Sequence, residues 1–372
     1  MRKLLAGVAL GLVASIAVVR LAACVFHRGP EPARLVAEDA SAPLSRVAIH
    51  YAPAFDSAAL PIWTQLFAQL PAAVEVEVEV AKLADFDRLI RALGAAGTPH
   101  LERLHPVVVG AAITTWSRDR YAALAFDAGG GEILAPPRVE AAYADRAGDA
   151  RSAAAISDAL YHRAPRTAGF AFEGGDLAAT PHLVFADANL AARNLGRNAA
   201  DRASISRELH VRLAQDLIWL GDAPGDVPRH HIMMYMMPLD DGTVAVGDVR
   251  AGVALLGREP AGDGLELDDV DVQARRFDHA AELLAARGFH VVRVPALVLA
   301  GGGAFVTYTN ALFDRRGAQK IVYLPTYRLP ELDRAAIAFY EQQGFEVHPI
   351  DVSTIYKLDG SLGCLVNVLA RG

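Results

Sequence analysis

The residues of this chain best suited to chemistry are a single distal cysteine, a histidine pair and two acidic segments. Cys364 lies close to the end of the 372-residue chain and is the only cysteine beyond Cys24. Because it has no nearby disulfide partner, it serves either as a small core residue or as a reactive thiol. Asp359-Gly360 and Gly363 precede it. They predict a turn that lets the backbone approach a bound group.

The other candidates lie far upstream. Asp119 stands between two arginines, Glu173 precedes two glycines, and His231 opens a methionine-rich hairpin with an Asp-Gly turn. A carboxylate with two acceptor oxygens suits a planar cation that carries a fork of donors. Each pattern also has a structural alternative: a surface ion-pair cluster for Asp119, a turn with solvated acids for Glu173, and a structural pair for His230 and His231.

Three of these segments resemble the pentein superfamily of guanidino-modifying proteins. Residues 352–364 are similar to the C-terminal Lys-x-Asp-Gly-x-x-Thr-Cys segment of dimethylarginine dimethylaminohydrolase, with Gly363 at the usual threonine. Residues 173–176, Glu-Gly-Gly-Asp, match a superfamily active-site segment. Residues 114–121 resemble the Arg-Asp segment of arginine and agmatine deiminases, whose aspartate grips the substrate guanidinium.

The resemblance implies roles for particular residues. The catalytic residues would be Cys364 as nucleophile, His231 as acid and base, and Glu173; those binding substrate would be Asp119, Asp176 and Arg118. Register favours His231 over His230, and Met233 stands where arginine deiminases carry a second aspartate. Neither a cofactor nor a metal is implied. The expected partner is a small guanidinium or amidine molecule, hydrolysed to a ureido product and ammonia or an alkylamine.

The spacing of the four main candidates supports a common site. Asp119 and Glu173 are 54 residues apart, Glu173 and His231 are 58 apart, and His231 and Cys364 are 133 apart, about two further steps. Groups that recur near one repeat length meet at one pocket in a closed array. Two other functions remain open: an amidinotransferase with the same nucleophile, and a non-catalytic binding protein of this fold at the cell envelope.

The elements that must position these residues alternate between strand and helix from Arg46 onward. Strands are expected at 47–51, 74–80 and 106–110, with one face of 74–80 in water. Helices are expected at 57–70, 82–94, 151–162, 202–217, 271–287 and 330–343. Two late helix–Gly-Phe–strand segments, with glycines at 288 and 344, read as copies of one unit. With the resemblance, this predicts an α/β fold: a five-module ββαβ propeller closed into a single domain over residues 46–372.

The N-terminal part of the chain predicts export. Residues 1–24 combine a basic start, a 16-residue apolar run and Leu21-Ala-Ala-Cys24. They read as a signal peptide, a lipoprotein signal lipidated at Cys24, or an anchor. Residues 25–45 are expected to be a tether. Membrane contact is therefore expected only through this anchor or lipid, in a secreted, periplasmic or membrane-anchored protein. The net charge of −7 argues against nucleic-acid binding.

Overall fold

Strands and helices alternate along nearly all of the described chain. A computed structural model describes residues 33–137, 146–195, 201–257, 265–301 and 303–372. The α-helices of these residues are α1 (Asp56–Gln69), α2 (Leu83–Ala95), α3 (Ser152–Tyr161), α4 (Ala188–Asn194), α5 (Arg202–Arg212), α6 (Val249–Leu256), α7 (Val270–Ala285), α8 (Pro330–Gln342) and α9 (Leu362–Leu365).

The strands of the same residues form five sheets. The strands are β1 (Ala33–Leu35), β2 (Leu44–Tyr51), β3 (Glu75–Val80), β4 (Leu104–Val108), β5 (Ala122–Phe126), β6 (Gly131–Ala135), β7 (Arg166–Thr167), β8 (Ala178–Ala179), β9 (Leu183–Asp187), β10 (Asp216–Leu220), β11 (Met236–Pro238), β12 (Thr243–Asp248), β13 (His290–Val298), β14 (Phe305–Thr307), β15 (Leu312–Arg316), β16 (Gln319–Thr326), β17 (Phe345–Asp351) and β18 (Val366–Arg371). The sheet orders are β1-β5-β6-β7, β10-β9-β8, β11-β12-β13-β14, β15-β16-β17 and β18-β2-β3-β4.

Every sheet contains a parallel pair joined through a helical crossover. Helices lie between β2 and β3, β6 and β7, β9 and β10, β12 and β13, and β16 and β17. A parallel pair needs such a crossover, because its strands run in the same direction. The α/β class predicted from the sequence is therefore confirmed.

The C-terminal strand shares a sheet with the first long strand of the described residues. The C-terminal strand β18 pairs antiparallel with β2, with Val366 opposite Ile49 and Val368 opposite Val47. This pairing brings the last residues of the chain beside its first long strand. The Cys364 turn therefore lies next to the start of the fold.

The predicted helices agree closely with the structure, with one exception. The helix expected at 202–217 ends at Arg212, and the next strand, β10, begins at Asp216 and pairs in parallel with β9. The two copied units are confirmed as helix, glycine and strand. Gly288 and Gly344 have φ of 91° and 81°, which favours glycine after the last helical turn.

Strand β3 departs from the prediction of a water-facing side. Glu77 and Glu79 are both buried, and α2 and α3 both pack against the strand. The Tyr121 hydroxyl donates a hydrogen bond to Glu79 Oε1 at 2.6 Å. An alternating pattern predicts one wet face only when nothing covers it, and here helices cover the face that carries Glu77 and Glu79.

The predicted tether at 25–45 is too long at its C-terminal end. Ala33–Leu35 forms β1 and pairs with β5, and the segment to Leu44 is largely buried. Arg371 donates hydrogen bonds to the carbonyls of Ala37, Glu38 and Ala42. Residues 33–45 therefore belong to the fold. The predicted export segment 1–24, with Cys24, and the rest of the tether lie outside the described residues.

No helix among the described residues is long and apolar enough to cross a membrane. Most buried apolar side chains form one large core cluster, and a second, smaller cluster lies beneath β1, β5, β6 and β8–β10.

Candidate active site

The four main candidate residues occupy equivalent places, each on a short helical turn directly before a strand. Asp119 lies in a 3-10 turn before β5, and Glu173 precedes a 3-10 turn before β8. His231 precedes a turn before β11, and Cys364 lies in α9 before β18. The same local geometry therefore presents a different side chain each time.

These four side chains line one cavity of about 280 Å³. Residues separated by 54 to 133 positions in the chain are thus brought together, as their spacing predicted. Among the described residues, the cavity is lined by Trp116, Asp119, Arg146, Glu173, His230, His231, Leu358, Asp359 and Cys364.

Close packing explains why the two residues after Glu173 are glycines. A Cβ at position 174 would lie 2.1 Å from the carbonyl oxygen of Arg118, and one at position 175 would lie 2.5 Å from Nδ1 of His231. Neither contact is tolerable for a real side chain. The glycine pair therefore lets this turn pack directly against the backbone beside Asp119 and against the imidazole of His231.

His231 and Glu173 form a buried ion pair, with His231 Nε2 2.9 Å from Glu173 Oε2. Burial lowers the pKa of His231, but interaction with Cys364, the hydrogen bond to Glu173 and the negative charges of Asp119 and Glu173 raise it well above 6.5. Burial alone would raise the pKa of Glu173, whereas His231, Arg193 and Arg120 hold it far below 4.5. Both shifts favour the imidazolium–carboxylate form of the pair.

His230 differs from its neighbour. It contributes to the cavity wall, and its ring meets His231 and Phe305 edge to face. Burial and the charge of His231 lower the pKa of His230 to about 3. A neutral His230 beside a charged, carboxylate-paired His231 favours His231 as the proton-transfer group, in agreement with the predicted register.

Cys364 is 4% exposed and is held by Asn310. The Asn310 side chain donates from Nδ2 to Cys364 Sγ at 3.4 Å and accepts from the Cys364 backbone N–H at 3.2 Å. The sulfur also lies 3.9 Å from Sδ of Met234. A Cβ at position 363 would lie 3.0 Å from Asn310 Oδ1, so Gly363 leaves room for this asparagine.

Asn310 is a site residue that the sequence reasoning missed. It lies shortly before β15, the position that the four candidates occupy before their own strands. Its signal was present as the recurrence of Asn310-Ala-Leu and Asn367-Val-Leu. Asn367 likewise uses its side chain to hold a neighbouring turn, donating to the carbonyls of Ser117 and Tyr121.

Arg146 is the second missed residue. Its guanidinium donates to Asp119 Oδ2 at 2.5 Å and to Asp149 Oδ2 at 3.1 Å, and lies 3.9 Å from Glu173 Oε1. Burial and Glu173 raise the pKa of Asp119, while His231 and Arg146 oppose that rise without cancelling it. A lone arginine in a sequence carries no sign of which carboxylates it will meet.

Arg118 and Asp176, predicted to bind substrate, do not line the cavity. Arg118 forms a buried ion pair with Glu38 and donates to the carbonyl of Gly174 at 3.3 Å. Asp176 accepts from the Glu173 backbone N–H at 2.8 Å and pairs with Arg193. Both brace the turns that carry Asp119 and Glu173, and their assignment as substrate ligands stays a prediction.

The described residues contain no group of three or more histidine, cysteine, aspartate or glutamate side chains that could hold a metal ion. What the cavity offers instead is a thiol, an imidazolium and two carboxylates. A thiolate attacks electrophilic carbon, an imidazolium donates a proton, and paired carboxylates bind a cation.

Comparisons with known proteins agree with this chemistry. The sequence model of the Porphyromonas-type peptidyl-arginine deiminase family matches residues 61–368. A search of curated proteins finds no match to the chain.

Two solved structures resemble the fold. A substrate-bound agmatine deiminase variant from C. jejuni is 16% identical, with a TM-score of 0.67 over 91% of this chain and 97% of that one. The agmatine deiminase of Enterococcus faecalis is 14% identical, with a TM-score of 0.67 over 92% of this chain and 98% of that one. At this identity the likeness establishes the fold, while the family match covers more than half of the chain. The chain belongs to the Porphyromonas-type peptidyl-arginine deiminase family, a group of guanidino-modifying hydrolases in the pentein superfamily.

Proposed function

We propose that this protein hydrolyses a C–N bond of a small guanidinium or amidine substrate through a covalent intermediate on Cys364. The observation that carries the proposal is the meeting of Cys364, His231, Glu173 and Asp119 in one cavity of about 280 Å³. This volume is suited to a small molecule or a single side chain.

Asp119 and Glu173 are the proposed ligands of the guanidinium. Both are buried, at 4% and 5% exposure, and a cation desolvated between two carboxylates is held in a fixed orientation. Asp119 Oδ1 and Glu173 Oε1 have no hydrogen-bond partner among the described residues. They are acceptors that a substrate N–H can fill.

Cys364 and His231 carry the proposed bond changes. The Cys364 thiolate adds to the amidino carbon and forms a C–S bond. The tetrahedral adduct expels ammonia or an alkylamine, and the His231 imidazolium supplies the proton that the leaving nitrogen takes. The now neutral His231 accepts a proton from water, which adds to the thiouronium carbon. The C–S bond breaks with its electron pair returning to Cys364 as thiolate, and the hydroxyl proton of the adduct passes to solvent, which leaves a neutral ureido product.

The propeller and the export signal remain part of this proposal. Five sheets, each with a parallel crossover, support a ring of five modules around the cavity, as do five side chains that each lie shortly before a strand: Asp119, Glu173, His231, Asn310 and Cys364. The basic start and apolar run of residues 1–24 support function outside the cytoplasm. If Cys24 is lipidated, the mature protein partitions into detergent and Cys24→Ser abolishes that partition.

The decisive experiment measures ureido product by mass spectrometry from free arginine, methylarginines, agmatine and a peptidylarginine. Wild type is expected to convert at least one of them, and Cys364→Ser none. Asp119→Asn is expected to raise KM by roughly 30-fold or more, since it removes a buried charge-assisted contact of about 2–4 kcal/mol. An intact-mass adduct on Cys364 under rapid quenching identifies the intermediate. Absence of product and adduct with every substrate would refute hydrolysis.

A further inference from the structure

The two carboxylates proposed to bind substrate already face a guanidinium, that of Arg146. Its terminal nitrogens lie 2.5 Å from Asp119 Oδ2 and 3.9 Å from Glu173 Oε1. The side chain of Arg146 is 15% exposed, so this charge is largely withdrawn from water. The chain therefore supplies the same chemical group that the proposed substrate carries, and to the same two acids.

Arg146 fits this position incompletely. Its approach to Glu173 at 3.9 Å is an ion pair rather than a hydrogen bond. Asp119 Oδ1 and Glu173 Oε1 are buried, and within the described part of the chain neither accepts a hydrogen bond. A buried acceptor left without a donor costs about 1–3 kcal/mol. A free guanidinium molecule can donate to Asp119 Oδ1 and Glu173 Oε1, because no connection to the backbone restricts its position as it does for Arg146.

A third carboxylate gives Arg146 a position of its own. Asp149 is fully buried and accepts hydrogen bonds from Thr114 N at 2.7 Å and Thr114 Oγ1 at 2.6 Å. It also accepts from Arg146 Nε at 3.1 Å. The Nε side of the guanidinium is thus anchored independently of Asp119 and Glu173. Only its terminal nitrogens need to leave for the two acids to accept another cation.

We propose that Arg146 is an internal competitor for the substrate guanidinium, bound to Asp119 and Glu173 when the site is empty and displaced from them by substrate. The inference rests on the proposed function in one respect only, namely that Asp119 and Glu173 bind the substrate guanidinium.

Because the ligand must take the place of the Arg146 guanidinium, the site binds cationic ligands in preference to neutral ones. A cationic guanidinium replaces the charge it displaces, whereas a neutral molecule would leave the buried Asp119 carboxylate without its cationic partner, which is costly. The ureido product of the proposed reaction is neutral. Return of Arg146 to Asp119 and Glu173 therefore favours product release, and neutral analogues bind poorly to the resting protein.

The test is equilibrium binding without turnover. In a Cys364→Ser background, ethylguanidinium chloride is titrated calorimetrically into the parent, Arg146→Gln and Arg151→Gln. Removing the competitor is expected to tighten binding about tenfold or more, because the competent fraction of sites rises. Arg151→Gln is the matched control: Arg151 lies five residues along and donates to the Gly110 carbonyl at 3.2 Å. Its variant is expected to bind like the parent.

A second measurement covers the case in which Arg146→Gln folds poorly. In protein with Cys364 intact, the rate of Cys364 alkylation is measured with cationic 2-chloroacetamidine and with neutral iodoacetamide. The quantity compared is the ratio of the first rate to the second. Arg146→Lys, which keeps the charge but loses the planar fork, is expected to raise this ratio. Weaker or unchanged ethylguanidinium binding in Arg146→Gln, or an unchanged ratio in Arg146→Lys, would overturn the proposal. The hydrolysis proposal would fail through absence of the ureido product. Neither the binding measurement nor the alkylation measurement depends on product formation, so the two failures are distinguishable.

Discussion

At the residue scale, the site consists of groups whose charges and orientations are fixed by immediate neighbours. Glu173 forms an ion pair with His231, Asn310 holds the sulfur of Cys364, and Arg146 forms an ion pair with Asp119. Two predictions belong to this scale, one for the asparagine and one for the ion pair.

Asn310→Asp is expected to slow the reaction of Cys364 with iodoacetamide at pH 7 by roughly tenfold. The amide that donates to Sγ at 3.4 Å is replaced by a carboxylate, whose negative charge disfavours the thiolate. Alkylation at Cys364 is followed by peptide mass spectrometry. Asn367→Asp, the repeat counterpart, is the control and should leave the rate unchanged. An equal slowing in both variants would assign Asn310 a general structural role.

The His231–Glu173 pair is expected to give stability a defined pH dependence. The raised pKa of His231 contributes stability that is complete below about 6.5 and is lost as pH rises through the folded-state value. The lowered pKa of Glu173 contributes stability that is present above about 4.5 and is lost as pH falls through the folded-state value. Thermal melting across this range should therefore show a smaller alkaline loss in His231→Gln. Identical alkaline slopes in wild type and variant would contradict it.

At the element scale, the site is built from repeated short turns that each precede a strand. Such a turn directs one side chain to the cavity while its neighbours brace the adjoining loops, as Arg118 and Asp119 illustrate. Close packing between turns depends on the glycines that follow Glu173.

Gly175→Ala is expected to lower kcat by tenfold or more while reducing stability only moderately, by about 1–3 kcal/mol. The new Cβ would lie 2.5 Å from His231 Nδ1 and must push the imidazole away from its partners. Turnover and urea unfolding are measured on the same preparation. Gly94→Ala in α2, where the nearest atom lies at 3.7 Å, is the control, and it should stabilise by about 0.5–1 kcal/mol without changing kcat. Full activity in Gly175→Ala would show that the imidazole tolerates displacement.

At the scale of the whole molecule, the two ends of the described chain are fastened together. Strand β18 pairs with β2, and Arg371 donates to carbonyls in residues 37–42 and to Phe313 at 3.0 Å. The positions of residues 33–45 and of Cys364 therefore both depend on the β18–β2 pairing and the hydrogen bonds of Arg371.

Arg371→Gln is expected to lower the free energy of unfolding by about 2–4 kcal/mol, because several buried carbonyls lose a charged donor at once. Unfolding should remain a single transition, since one core cluster spans residues from Val36 to Leu369. Urea is the denaturant, because guanidinium is a ligand in the proposal above. A separate early transition of the N-terminal segment would contradict a shared closure. Arg334→Gln on the exposed face of α8 is the control, with a change below about 0.5 kcal/mol.

The sequence by itself determined the α/β alternation, most helix bounds and four residues that meet in the cavity. The alternation and the helix bounds depend on local periodicity and glycine turns, which act within a few residues of the chain. The four residues were found from their motifs and from their recurrence at about one repeat length. Only the tertiary structure decided that Arg118 and Asp176 brace the turns, that Arg146 lines the cavity, that Asn310 holds Cys364, and that residues 33–45 belong to the fold. Neighbouring residues on a 3-10 turn point in different directions, and their partners lie tens to hundreds of positions away. Which partner each buried charge finds is therefore settled by packing between elements.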